Sequence, residues 1–173
     1  MSGLDETVTL APYDPSWPAA FEAERRRLRG VPGITPEAIE HIGSTAVPGL
    51  TAKPVVDLML GVTHWPPPAA LVAQLVVLGY EDLGEAGVPE RRYLRLRGPV
   101  SFNLHVVRRD GDHWSNNLRL RDHLRADPIA RERYAAAKRA AVAAGATRLL
   151  AYSAAKQPAI AELLAVAPRE TAL

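Results

Sequence analysis

The segment Glu40–Leu60, "EHIGSTAVPGLTAKPVVDLML", sets out a strand, a Gly43-Ser44 turn, a short polar loop carrying Lys53, and a second strand with Asp57 inside it. A glycine lets the backbone come close to a ligand. Hydroxyls and free amides directly after it suit a phosphate, so Gly43, Ser44 and Thr45 read as a phosphate-binding turn. The competing reading is a plain strand-ending turn. Asp57 raises the interest of the segment because "PVVDLMLGV" is otherwise apolar on both faces, the pattern of an interior strand. A carboxylate in such a strand is costly unless it ends at a cleft, meets a cation or finds a donor. Lys53 lies in the intervening loop, and of 21 basic residues only Lys53, Lys138 and Lys156 are lysines. That placement suits a point-charge contact with phosphate or with Asp57, although so small a sample also allows chance.

Outward from this segment the chain reads as alternating elements. A helix is expected from Trp17 to Leu28, with Phe21, Leu28 and Val31 as its buried side and the basic run of "ERRRLRG" as a solvated face. Strands are expected at Ala38–Gly43, Pro54–Val62, Arg91–Arg97 and Ser101–Val107, the last two joined through Gly98-Pro99. In "SFNLHVV", Phe102, Leu104 and Val106 face one way, and Asn103 and His105 the other. That polar face is either a wet cleft or a solvent-exposed outer surface. His41, on the strand entering Gly43, carries the same ambiguity. Arg92, with Arg91 beside it, can supply an anion clamp or simply face water. "PPPAALVAQLVVLGY" reads as a helix opened by proline and closed by Gly79. After residue 110 the period changes from two to 3.6, and three helices follow. Asp127-Pro128 lies at the first junction and Ser153 is the expected N-cap of the last helix. The pairs Tyr134-x-x-x-Lys138 and Tyr152-x-x-x-Lys156 are read as one-turn neighbours.

Composition bounds the rest. A chain of 173 residues, 47% hydrophobic and 23% charged, is expected to be one domain spanning 1–173. Absence of cysteine excludes disulfides, zinc-thiolate sites and thiol nucleophiles. "MSGLDETVTLAPYD" lacks the basic start and apolar run of a signal peptide, and no apolar run reaches membrane-helix length; a cytoplasmic, membrane-free protein is expected. The pI is near 9.1, but the net charge is only +2 with acids and bases interleaved, which argues against a nucleic-acid surface.

The residues also match a known pattern. "EHIGSTAVPGLTAKPVVDLML", "FNLHVV", "HWSNNLRLRDHLRADP", "RYAAAKRAA" and "YSAAKQPAIAELL" resemble, in order, the blocks of the GrpB-like family of small bacterial domains. The likeness runs from about Tyr13 to Val166. It implies an α/β (α+β) fold: a mixed β-sheet of nucleotidyltransferase type, related to DNA polymerase β, flanked by helices, with a helical C-terminal region. Family members also occur fused to dephospho-coenzyme A kinase. In the wider superfamily the Gly-Ser turn precedes two acids separated by one residue, with a third on a later strand. By that comparison Asp57 takes the second acid's place, Val55 the first's, and "SFNLHVV" offers Asn103 and His105 where the third would stand. Two Mg²⁺ ions need several hard anionic oxygens, so two-metal nucleotidyl transfer is not expected. Asp57 is expected to hold at most one weakly bound Mg²⁺ or Mn²⁺.

Three readings remain. In the first, an enzyme of altered chemistry uses Asp57 and His105 as catalytic groups, with His41, Gly43, Ser44, Thr45, Lys53, Arg92 and Asn103 holding a nucleotide or small phosphorylated ligand. In the second, the groove belongs to a non-catalytic accessory or sensing module linked to coenzyme A metabolism. In the third, it is inherited and unused.

Overall fold

A computed structural model of the chain describes residues 4–169, so residues 1–3 and 170–173 of the expected domain lie outside the described residues. Along the chain it contains α1 (Trp17–Leu28), β1 (Ile39–Ile42), β2 (Val56–Val62), α2 (Ala69–Val77), β3 (Glu81–Asp82), β4 (Arg91–Leu96), β5 (Phe102–Arg108), α3 (Asp112–Ala126), α4 (Pro128–Ala143) and α5 (Leu149–Val166). Short 3-10 turns, Pro36–Ala38 and Ser44–Ala46, flank β1. The fold is mixed α+β, and the four expected strands are present within two residues at each end. The two-residue strand β3 was not legible, because "ED" carries no alternation to read.

The sheet order is β1-β2-β5-β4-β3. Only β2 and β5 are parallel; the other neighbours are antiparallel. Strand alternation then gives the sheet two unlike faces. One carries Val56, Leu58, Leu60, Leu94, Leu104 and Val106, all buried, against Trp17, Phe21 and Leu28 of α1 and Leu75 of α2. These helical positions recur three or four residues apart or in multiples of a turn, so one stripe of α1 does the packing. Arg26 and Arg29 stay exposed, as a solvated face requires.

The opposite face is covered by the C-terminal helices. Ile42, Met59 and Val107 pack against Trp114 and Leu118 of α3. Gly61 makes this docking possible: a Cβ there would lie 2.8 Å from the Trp114 ring. Leu124, Ala130, Tyr134 and Leu163 then join α3, α4 and α5 to Val47 and Leu50 of the loop after the Ser44 turn. Asp127 caps α4, its carboxylate accepting from the amides of Ile129 (2.8 Å) and Ala130 (3.1 Å), with Pro128 in the first turn where no amide is needed. The last helix departs from expectation. It begins at Leu149, Arg148 is its N-cap, and Ser153 lies inside it. The extra turn forms because Leu149 and Tyr152 are buried against Val8 and Ala141, and the Leu149 amide donates to the Glu6 carbonyl. Tertiary contacts outweigh a serine's local preference for capping.

Candidate functional site

The β-register assembles the polar row. Ile42 stands opposite Asp57, Asp57 opposite Asn103, and Asn103 opposite Arg95. The next row on that face is Met59, His105 and Tyr93. Asp57 and His105, far apart in sequence, therefore share one face of adjacent parallel strands. Asp57 Oδ1 accepts from Asn103 Nδ2 at 2.8 Å and lies 3.3 Å from His105 Nε2. The Asn103 side-chain oxygen in turn accepts from the Tyr93 hydroxyl (2.8 Å) and Arg97 Nη2 (3.0 Å). Arg97 is anchored by Glu6 at 2.6 Å, so the N-terminal segment closes the network.

Burial by itself would raise the Asp57 pKa. The hydrogen bond and charge of His105, the charge of Lys53 and the Asn103 bond outweigh it, and the carboxylate stays well below its usual range. Burial lowers His105 against the pull of Asp57, so its imidazole is neutral at pH 7. The neutral tautomer with its proton on Nε2 donates to Asp57. Burial pushes the Tyr93 hydroxyl up to about 12.

Gly43 sits at φ +71°, and a Cβ there would lie 2.7 Å from Asp57 Oδ2. The absent side chain thus makes room for Asp57, where the sequence suggested room for a ligand. Beside this contact is a pocket of about 70 Å³ lined by Gly43, Ser44, Lys53, Asp57, Tyr134 and Lys156, among others. Lys138 enters from α4 and donates to Ser44 Oγ (2.9 Å) and to the Thr51 carbonyl. The two Tyr-x-x-x-Lys pairs are indeed neighbours on their helices: Lys138 Nζ lies 4.9 Å from the Tyr134 ring centre and Lys156 Nζ 4.4 Å from that of Tyr152. Tyr134, Tyr152 and Lys156 also line this one pocket, and Lys138 reaches its wall through Ser44, which the spacing alone did not indicate. The signal that could have found them was the scarcity of lysine, because two of the chain's three lysines line this pocket and the third bonds to its Ser44.

Burial lowers the pKa of each lysine; Asp57 opposes this at Lys53 and Lys156, while at Lys138 burial, helped by the charges of Lys156 and Arg139, brings it down to about 7. Among the described residues none of the three forms an ion pair with a carboxylate.

Two candidates fall elsewhere. Arg92 points to the opposite face, where it pairs with Asp82, its Nε 2.8 Å from Oδ1. Strand parity decides this: Arg91, one residue earlier, takes the site face, its guanidinium 4.9 Å from the Tyr93 ring centre. His41 lies opposite Leu58, on the side of α1. Its ring stacks on Phe21 at 4.7 Å, Nε2 lies 3.0 Å from Thr45 Oγ1, and burial pushes its pKa down to about 4. It is a neutral packing residue that borders a second, larger pocket of about 320 Å³ with Arg25, Arg121 and Arg125. Thr45 lines the Asp57 pocket but spends its hydroxyl on His41.

The donor set does not fit a pair of divalent ions. Val55 offers no oxygen, Asn103 gives its oxygen to Tyr93 and Arg97, and Asp57 Oδ1 is engaged by Asn103 and His105. Among the described residues no three His, Cys, Asp or Glu side chains are grouped to hold a metal. A lone ion would have Asp57 Oδ2 as its carboxylate ligand, in the repulsive field of Lys53 and Lys156.

Residues 7–165 match the family model described as GrpB protein. The chain belongs to the GrpB family. A UPF0157 protein of Halalkalibacterium halodurans is 40% identical over 135 residues, covering 77% of this chain and 68% of that protein. The crystal structure of conserved protein GrpB from Enterococcus faecalis superimposes with a TM-score of 0.76 at 30% identity, over 91% of this chain and 98% of that one. A dephospho-CoA kinase of Mycolicibacterium paratuberculosis is 32% identical over 179 aligned residues, covering 87% of this chain but 44% of that protein. Among the described residues no helix is long and apolar enough to cross a membrane.

Proposed function

We propose that the Ser44–Asp57 pocket binds the phosphate of a small phosphorylated ligand or nucleotide. One observation carries this reading: Lys53 from a loop and Lys156 from α5 line a pocket whose single carboxylate is Asp57, and Lys138 from α4 bonds to its Ser44 wall. Half-buried cations that outnumber the carboxylate beside them are unfavourable, and a phosphate offsets that cost. Lys53 and Lys156 act as point charges toward the ligand, and Ser44 contributes a hydroxyl. Asn103 and His105 hold Asp57 in place, and Asp57 limits the positive field when no ligand is present. Gly43 supplies the close approach that keeps Asp57 at the rim.

A second reading is favoured by the similarity to the dephospho-CoA kinase, which matches most of this chain within less than half of its own length. Here the pocket serves an accessory module that senses a coenzyme A-like phosphate without transforming it. Calorimetric titration with inorganic phosphate, nucleoside triphosphates and coenzyme A, with and without Mg²⁺ or Mn²⁺, tests both. Phosphate-dependent binding that weakens at least tenfold in Lys156→Ala, and needs no divalent ion, is the expected result. Binding unchanged in Lys53→Ala and Lys156→Ala, or no binding by any of these compounds, removes the proposal. Selective binding of coenzyme A over nucleotides favours the accessory module.

A further inference from the structure

We propose that Ser44 and Lys138 form a nucleophile–base pair, with Ser44 Oγ attacking the phosphorus of the ligand that Lys53 and Lys156 hold. The inference rests on the pocket being a phosphate site and adds a covalent step to it. Lys138 is 1% exposed, and its hydrogen-bond partners are a serine hydroxyl and a backbone carbonyl. Those are unusual surroundings for a buried ammonium, which ordinarily finds a carboxylate. They suit a neutral amine. A neutral Nζ has N–H bonds to give to Thr51 and one lone pair that accepts the Ser44 hydroxyl proton once the 2.9 Å bond, in which Nζ donates to Oγ, reverses. Ser44 is half-buried and is one of the residues that line the pocket.

The neighbours favour the neutral form. From α5 come Lys156 and Tyr152, from α4 itself Tyr134 and Arg139, and from the loop the Ser44 hydroxyl and the Thr51 carbonyl. Lys53 and Asp57 line the same pocket. Burial and the two nearby cations leave a large neutral fraction of Lys138 at pH 7. An amine poised near the working pH is the condition under which a lysine activates a serine.

The step balances without a redox partner. The Ser44 O–H bond breaks and its proton passes to Lys138 Nζ. An Oγ–P bond forms while the bond from phosphorus to the leaving oxygen breaks, its electron pair going to that oxygen. The leaving oxygen recovers the proton from Lys138 or departs as a stable anion. Lys53 and Lys156 offset the charge on the phosphoryl oxygens. Water then attacks the phosphorus, and an O–P bond forms as the Oγ–P bond breaks with its electron pair going to Ser44 Oγ. Oγ regains a proton through Lys138 while phosphate leaves with the water oxygen.

A small alkyl fluorophosphonate performs the same displacement with fluoride as leaving group, and needs no knowledge of the natural ligand. Incubation of the intact protein, followed by mass spectrometry of its fragments, is expected to place one adduct on Ser44. Its rate should rise with pH through a midpoint near 7. Lys138→Met is expected to slow labelling about a hundredfold, Lys138→Arg to leave it equally slow, and Ser44→Ala to abolish it. Thermal melts establish that each variant is folded. Because the chain has no cysteine, Ser44→Cys alkylated by iodoacetamide reports whether reagents reach this position. The three lysines give few enough ¹³Cε-lysine NMR signals for the Lys138 midpoint to be read directly. The absence of a Ser44 adduct overturns the pair whether or not Ser44→Cys reacts, as does labelling unaffected by Lys138→Met. If phosphate binds calorimetrically and Ser44 stays unlabelled, the binding site stands and the nucleophile falls. If Ser44 labels but no phosphate compound binds, the phosphorylated-ligand reading falls instead.

Discussion

Strand β2 presents Val56, Leu58 and Leu60 to one side of the sheet and Asp57 and Met59 to the other, and the two sides are built on different principles. The α1–α2 side is mainly a hydrophobic contact made of local helices and alternating strand residues, with a buried Glu24 that accepts from the Tyr80 hydroxyl and with His41 stacked on Phe21. The side covered by α3–α5 contains a hydrogen-bonded row, Asp57–Asn103–Tyr93, and a lysine-lined pocket closed by residues about a hundred positions away. Apolar burial is non-directional and tolerates exchange of similar shapes. The polar side depends on individual donors meeting individual acceptors, and each missing partner leaves a buried group unsatisfied. The comparison implies that changes on the first side should cost stability without altering ligand specificity, whereas changes on the second should alter binding, reactivity and pH response.

The largest effect should come from the apolar side. Leu104→Ala, at a fully buried position on β5, is expected to destabilise the protein by about 2–5 kcal/mol in urea titrations. The folded fraction should bind phosphate with wild-type affinity. Altered affinity would show that the two sides are coupled through β5.

Next in size is Gly43→Ala. Its methyl would meet Asp57 Oδ2 at 2.7 Å in a backbone conformation, φ +71°, that alanine rarely adopts. A loss of about 1–3 kcal/mol is expected by thermal melting, from overpacking and backbone strain together. Phosphate affinity should change with it because Asp57 must move. A loss of stability with unchanged binding would show that Gly43 serves the turn alone.

Asp57→Asn should cost about 1–3 kcal/mol through weaker hydrogen bonds with Asn103 and His105. Because the native carboxylate has a depressed pKa, its contribution is present above the unfolded value near 3.8 and is lost as pH falls through the native value. The variant should therefore be less sensitive to acid than the wild type. Inorganic phosphate should bind it as tightly or more tightly, since a repelling charge is gone. Weaker binding would mean that Asp57 meets a cation or a donor of the ligand.

Lys138 gives a signature of the same sign in a higher pH window. Its native pKa of about 7 lies below the unfolded value of about 10.5, so between these the unfolded chain holds more protons and stability rises with pH. Below pH 7 both states are protonated and the penalty of burying the charge is constant. Lys138→Met should flatten the dependence of stability on pH between 7 and 10 in denaturant titrations. The slopes due to Lys53 and Lys156, also lowered, should remain. The smallest effect is expected for Arg92→Ala, whose partly exposed pair with Asp82 lies on the wrong side of the sheet for the pocket. Stability should fall by no more than about 1 kcal/mol and phosphate binding should not change. A loss of binding would reinstate Arg92 at the site.

Local pattern was enough to find the four longer strands, the switch to helices after residue 110, and the separation of Asn103 and His105 from Phe102, Leu104 and Val106. Each follows from side-chain period and from which residues tolerate burial. The same local information named Gly43, Ser44, Lys53 and Asp57, because glycine, a hydroxyl and isolated charges stand out against an apolar background. Local pattern could not choose between Arg91 and Arg92, whose faces depend on the register of β4 with β5. Nor could it tell that His41 turns toward Phe21. The meeting of Lys138 and Lys156 with Ser44 and Asp57 was decided only when α4 and α5 packed onto the sheet. A pocket is a relation between segments distant in the chain. The charges that line it acquire their shifted pKa values, and Lys138 its serine partner, from a burial that the sequence does not display and the tertiary structure creates.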